Sequence, residues 1–190
     1  MADVLVRKEA IREAQRLWQA NPLYLDTETT GIGPAAEVIE VGVVDNQGQV
    51  LYSSLVRPRG VIEPEALRVH NIQPEVVATA PGWQHVWPEL RTVLAGSLVG
   101  AYNSDFDLRL IKQSLQRAWL RWDLPYSSFF CIMKLYARFA ADWNPERRSY
   151  RWHSLDAAGK QAGLALLNTH RAVDDARLAR ALLQYMAGAG

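Results

Sequence analysis

The stretch Leu23-Tyr24-Leu25-Asp26-Thr27-Glu28-Thr29-Thr30-Gly31 constrains this chain more than any other. It starts apolar, as a strand entering a core, and turns acidic within three residues. In a strand, residues two apart point to the same face, so Asp26 and Glu28 project side by side and Thr27 faces the opposite way. Two adjacent carboxylates repel, and neither has a basic neighbour in sequence. A divalent cation offsets them, and hard oxygen ligands suit Mg²⁺ or Mn²⁺. On spacing alone, two solvated acids at a strand end are the better reading.

The surrounding pattern frames that strand. An amphipathic helix is predicted over residues 4–20, with Val4, Ile11, Ala14, Leu17 and Trp18 near one face, stopped by Asn21-Pro22. After the acidic strand, EVIEVGVVD and QVLYSSLVRP read as two more strands joined at Asn46-Gln47-Gly48, a meander. Pro64 opens a short helix, His70 falls in a loop region beyond the third strand, and a longer helix spans about 83–94. SLVGAY is a fourth strand before a helix over about 104–119. Helices are expected near 129–140 and 154–163, and a last one from 169 or 170 to about 186. Strands that pair antiparallel and then alternate with helices define an α/β chain with a mixed sheet flanked by helices. No repeat or linker divides it, so residues 1–20 are expected to pack as a helix on one domain over 21–190.

Net charge is +1, too small for a global basic field that would hold long duplex DNA. The composition, 49% hydrophobic and 22% charged, excludes disordered and fibrous classes. Cys131 is the one cysteine; it excludes an intrachain disulfide and reads as a core residue. No run approaches the roughly 18 apolar residues of a membrane span. Charged residues in the first twenty exclude a signal peptide. A cytoplasmic protein is the expectation.

Two further segments bring acids to helix starts: Asn103-Ser104-Asp105-Phe106-Asp107 after the fourth strand, and His170-Arg171-Ala172-Val173-Asp174-Asp175 before the last helix. DTETTG, N-x-x-F-D and H-x-x-x-x-D, in this order over about 22–183, resemble the three motifs of the DEDDh family of 3′→5′ exonucleases. That family includes the proofreading subunit of the bacterial replicative polymerase and its free-standing relatives.

The resemblance implies a ribonuclease H-like fold and two Mg²⁺ ions, with Mn²⁺ able to substitute. Asp26, Glu28 and Asp175 would hold one ion, and Asp26 and Asp107 the other, balancing a formal charge of −4. His170 would be the general base, a role that suits an imidazole because the free group titrates at about 6.5, near neutral pH. Residues five apart on a helix differ by about 140° in direction, so His170 belongs before the helix that carries Asp175. Thr29 and the backbone at Thr30 and Gly31 would meet the terminal 3′-hydroxyl. Phe106 would stack on the last base, with His70 and Asn103 beside it; Phe106 is equally consistent with a core position.

Asp105 and Asp174 are set aside as ligands in favour of Asp107 and Asp175, Asp174 facing solvent or a salt-bridge partner, and Glu40 is read as a structural ion pair. The segment 143–152 mixes basic and aromatic residues and reads either as a track for single-stranded nucleic acid or as an exposed loop. The expected partner is the 3′ end of single-stranded or frayed DNA, with a DNA polymerase or repair protein as a further candidate and no membrane. The motifs do not distinguish DNA from RNA, and an inactive binding module remains the non-enzymatic alternative.

Overall fold

The computed structural model describes residues 2–125 and 128–189. In chain order the elements are α1 (Ala2–Gln19), β1 (Leu23–Thr29), β2 (Val38–Val44), β3 (Val50–Leu55), α2 (Pro64–His70), α3 (Pro74–Ala78), α4 (Trp83–Leu94), β4 (Val99–Ala101), α5 (Ser104–Arg117), β5 (Phe129–Cys131), α6 (Ile132–Ala140), β6 (Trp143–Asn144), β7 (Ser149–Tyr150), α7 (Leu155–Gln161) and α8 (Ala172–Ala187). The main sheet has five strands in the order β3-β2-β1-β4-β5. β1 to β3 pair antiparallel, while β4 and β5 run parallel to β1. This is the mixed sheet expected from the sequence, in a ribonuclease H-like arrangement.

Side-chain alternation sorts the sheet's two faces. Leu23 and Leu25 of β1 pack with α4 and α5 through Trp87, Leu90, Leu110 and Ile111. Tyr24 packs on the other face with Ala10 and Ala14 of α1, Leu135 of α6 and Leu178 and Leu182 of α8. Both faces of β1 and β2 are therefore covered, which explains why VIEVGVV is buried throughout. Continuing the alternation, Asp26 and Glu28 follow Tyr24 toward α8, and Thr27 follows Leu25 toward α5.

Strand length then opens the site. β4 pairs with β1 only at Leu23 and Tyr24 and stops at Ala101. β1 continues to Thr29 with β2 on one side only. The N-terminal turns of α5 and α8 fill the neighbourhood of that free edge and carry Asp107 and Asp175.

Several local expectations need correction. Residues 129–131 form strand β5, and α6 starts only at Ile132; tertiary pairing with β4 captures Phe129-Phe130-Cys131, the start of an apolar run that resembles a helix. Cys131 is in consequence half-buried at the sheet edge. His70 ends α2 and does not lie in a loop. Val4 is 57% exposed; Ala10 takes its place on the buried face of α1. α8 begins at Ala172, because His170 is left-handed (φ 53°) and Arg171 extended. Helix α3 and the β6–β7 hairpin were not anticipated; both are too short to leave a periodic pattern.

Candidate active site

A cavity of about 310 Å³ at the free edge of β1 is lined by Asp26, Glu28, Asn103, Phe106, Asp107, His170 and Asp175. Segments separated by as many as 149 positions in sequence thus meet at one place. Carboxylate oxygens of Glu28 and Asp175 and a ring nitrogen of His170 all lie within 4.8 Å of one another. His170 Nδ1 stands 3.9 Å from Asp175 Oδ2. Across β1, Thr27 donates its hydroxyl to Asp107 Oδ1 at 2.8 Å.

The acids are poorly compensated by the protein. Glu28, Asp107 and Asp175 are buried. Burial, reinforced by the Asp175, Glu40 and Asp107 charges, pushes the Glu28 carboxyl up to about 8. Asp107 rises to about 7 and Asp175 to about 6, in both cases through burial. Asp26 is raised well above the usual carboxylate range by burial, then by Asp107, Glu28 and Asp175. The N-terminal dipoles of α5 and α8 offset part of this charge. Among the described residues, no lysine or arginine forms an ion pair with any of the four. A compact set of hard oxygen donors with no lysine or arginine ion pair among the described residues fits one or more divalent cations.

Arg171, whose charge draws the Glu28 carboxyl down, is committed elsewhere. Glu40 sits directly opposite Glu28 in the β1–β2 ladder, a like-charge pairing that is unfavourable unless neutralised. Arg171 supplies the neutralising charge: its Nε lies 3.1 Å from both Glu40 oxygens and its Nη2 2.6 Å from Oε1. The backbone N–H of Ala172 donates to Glu40 Oε2 as well. Glu40 is thus the ion-pair residue expected from sequence. This fork also fixes the residue after His170, so the histidine is anchored from its C-terminal side. From the N-terminal side, the N–H of His170 donates to Asn168 Oδ1 and that of Thr169 to Asp175 Oδ1.

A second hollow of about 250 Å³ adjoins the first and is lined by Thr27, Glu28, Thr29, Gly31, His70 and Phe106, among others. Thr29 donates its hydroxyl to the Gly31 carbonyl. His70 Nδ1 accepts from the Ile72 N–H, so its Nε2 carries the proton and donates to the Thr29 carbonyl at 3.2 Å. Burial lowers the His70 pKa, which keeps the ring neutral. It contributes a wall and holds Thr29. Thr30 lines neither hollow; its hydroxyl accepts from Glu37 N–H and its backbone pairs with Glu37 and Glu63. Phe106 borders both hollows and also packs against the core. Asn103 takes a left-handed backbone (φ 68°) at the start of α5, a conformation asparagine tolerates.

Asp105 and Asp174 lie outside the cluster, in ion pairs with Lys134 and Arg177. The sequence reading missed His153, Tyr102, Met133 and Asn168, which also line the main cavity. His153 follows the basic segment by one residue after Trp152, but a lone histidine in a loop carries no spacing signal.

A five-stranded mixed sheet with four carboxylates and a histidine at its open edge defines a 3′→5′ exonuclease of the DEDD type, a phosphodiester hydrolase. The chain belongs to the RNase_T exonuclease family, whose pattern matches residues 23–183. It is 31% identical over 186 residues to the uncharacterized exonuclease CP81 of Escherichia phage 186, covering 94% of each chain. It is 28% identical over 166 residues to the DNA polymerase III subunit epsilon of Treponema pallidum, covering 85% of this chain and 74% of that protein. Among solved structures, Exonuclease X in complex with 5′ overhanging duplex DNA superposes with a TM-score of 0.66 at 28% identity, covering 88% of this chain and 92% of that one.

Proposed function

We propose that this exonuclease removes nucleoside 5′-monophosphates from the 3′ end of single-stranded or frayed DNA by a two-metal-ion mechanism with Mg²⁺. The observation that carries the reading is the meeting of Asp26, Glu28, Asp107, His170 and Asp175 on one cavity. Support for DNA over RNA comes from similarity to a polymerase III epsilon subunit and to an exonuclease bound to DNA. Two divalent cations bound by such a set activate a water and offset the charge that builds on the leaving 3′-oxygen.

The chain's own residues would do the rest. Asp26, Glu28, Asp107 and Asp175 hold the cations. His170, half-exposed at the cavity mouth, takes the proton from the attacking water. Glu40 and Arg171 position that histidine from behind. Thr29 and the Gly31 backbone receive the terminal sugar, with His70 bracing Thr29. Phe106 offers its ring to the last base, a sequence-tolerant contact.

The test is degradation of a 5′-labelled single-stranded DNA oligomer and its RNA twin in Mg²⁺, Mn²⁺ or EDTA. A ladder shortening from the 3′ end, faster on DNA, abolished by EDTA and by Asp26→Ala, is the expected result. A faster RNA ladder overturns the sugar assignment. Activity that survives Asp26→Ala overturns the site.

A further inference from the structure

The chain leaves the cavity wall at Ser154 and His153 and, one residue earlier, enters a surface unlike the rest of the molecule. β6 and β7 form a two-stranded hairpin, Trp143 pairing with Tyr150 and Asn144 with Ser149. The Asn144 side chain closes its turn by accepting the N–H groups of Glu146 and Arg147. The Tyr150 hydroxyl donates to Asp3 of α1, and the Tyr150 ring meets Trp143 edge-on at 5.2 Å. The hairpin is therefore a built element braced on α1. A groove of about 600 Å³ runs along it, lined by Arg147, Tyr150, Arg151 and Trp152, among others.

Charge and exposure point to the occupant. Residues 143–152 carry three arginines against one glutamate, a surplus larger than the +1 of the whole chain. Arg147 and Arg148 are exposed, and neither has an acidic partner among the described residues. Arg151 has only an exposed pair with Asp142 at 3.4 Å, of a kind worth little in water. Trp152 is 66% exposed, and among the described residues no other ring stacks on it. Interleaved arginine and exposed aromatic side chains suit phosphates and unstacked bases together. The position supplies the continuity: Trp152 adjoins His153 and Ser154 in the cavity wall, and extended chain of about 3.3–3.6 Å per residue keeps Arg147 within about 22 Å of His153.

We propose that the β6–β7 hairpin is a binding track for single-stranded nucleic acid, holding the segment on the 5′ side of the bond to be cut. This rests on the exonuclease reading of the cavity. A chain of net charge near neutral then grips its substrate locally. On this reading a trinucleotide seated at the cavity meets fewer of Arg147, Arg148 and Arg151 than a strand of fifteen nucleotides does.

Binding of fluorescent dT₁₅ and dT₃ in EDTA, by anisotropy across a salt series, tests the track without requiring cleavage. The wild type binds dT₁₅ more tightly than dT₃. In Arg147→Gln/Arg148→Gln/Arg151→Gln that preference shrinks about tenfold, and the slope of log affinity against log salt falls by about 2, as three lost phosphate contacts at about 0.7 each require. Trp152→Ala lowers dT₁₅ affinity with little change in that slope. Equal losses on both lengths, or no loss on either, overturn the track. Wild-type protein that binds dT₁₅ through the hairpin but degrades no oligomer overturns the exonuclease reading of the cavity alone. Circular dichroism identical to wild type confirms that these exposed substitutions leave the fold intact.

Discussion

His170 owes its position to a backbone that most side chains avoid. Its φ of 53° lies in the left-handed region, which costs a non-glycine residue roughly 1–2 kcal/mol. The Asn168 cap before it and the Arg171–Glu40 fork after it hold that conformation. A histidine in the first turn of α8 would swing about 140° away from Asp175. His170 also lies close enough to Glu28 and Asp175 to serve as a cation ligand, and a substitution separates the two roles. In His170→Ala the single-turnover rate should fall by about 10²–10⁴-fold, the usual worth of a general base. Cation affinity measured by calorimetry should stay within about threefold, less than 1 kcal/mol. Loss of cation binding along with the rate would make His170 a ligand and remove it as the base.

The element that completes the site is α8, and a glycine sets its distance from the sheet. A Cβ at Gly42 would lie 2.6 Å from the Val173 nitrogen and 2.7 Å from the Ala172 carbonyl carbon. Backbone cannot yield as the tip of a side chain can. The missing side chain lets the first turn of α8 rest on β2, opposite Asp26 in the ladder. Gly42→Ala should therefore push Asp175 and His170 outward, destabilise the fold by about 1–3 kcal/mol as overpacking does, and cut activity. Thermal melting and the oligomer ladder report the two effects. A variant with wild-type stability and rate would show that α8 has room to move.

For the whole molecule, the acid cluster makes stability depend on pH. The Glu28 carboxyl sits at about 8 when folded against a usual 4.5, and Asp107 at about 7 against 3.8. Well below pH 3.8 both folded and unfolded chains keep these protons. As pH rises, the unfolded chain releases them first and so binds fewer protons than the folded one. Stability then falls with rising pH, and the fall is complete once pH passes the folded values. Metal-free protein should lose melting temperature between about pH 4 and 8, by roughly 2–4 °C for each kcal/mol in a chain of this size. Added Mg²⁺ or Mn²⁺ should restore more at pH 8 than at pH 5, because cations bind the ionised acids. Melting followed in EDTA and in excess cation checks this. A pH-independent melting temperature in EDTA would mean that neither burial nor mutual repulsion raises these carboxyls in the folded chain.

At the same scale, sequence and tertiary structure divide the determination cleanly. Period-two spacing placed Asp26 and Glu28 together and Thr27 opposite. The five-residue gap put His170 ahead of its helix, and the apolar runs marked the meander and the flanking helices. These are local properties, read from periodicity and chain breaks. Only tertiary structure decided that residues 129–131 pair with β4, that β4 stops short and leaves the edge of β1 free, and that Arg171 reaches Glu40 across 131 positions. The same holds for Thr30, turned inward by its bonds to Glu37, and for His153 on the cavity wall. Each depends on contacts between distant segments, where burial and ladder hydrogen bonds outweigh the weak propensity of a short stretch. Sequence names the chemical groups; their shared cavity exists because the sheet is long on one strand and short on the next.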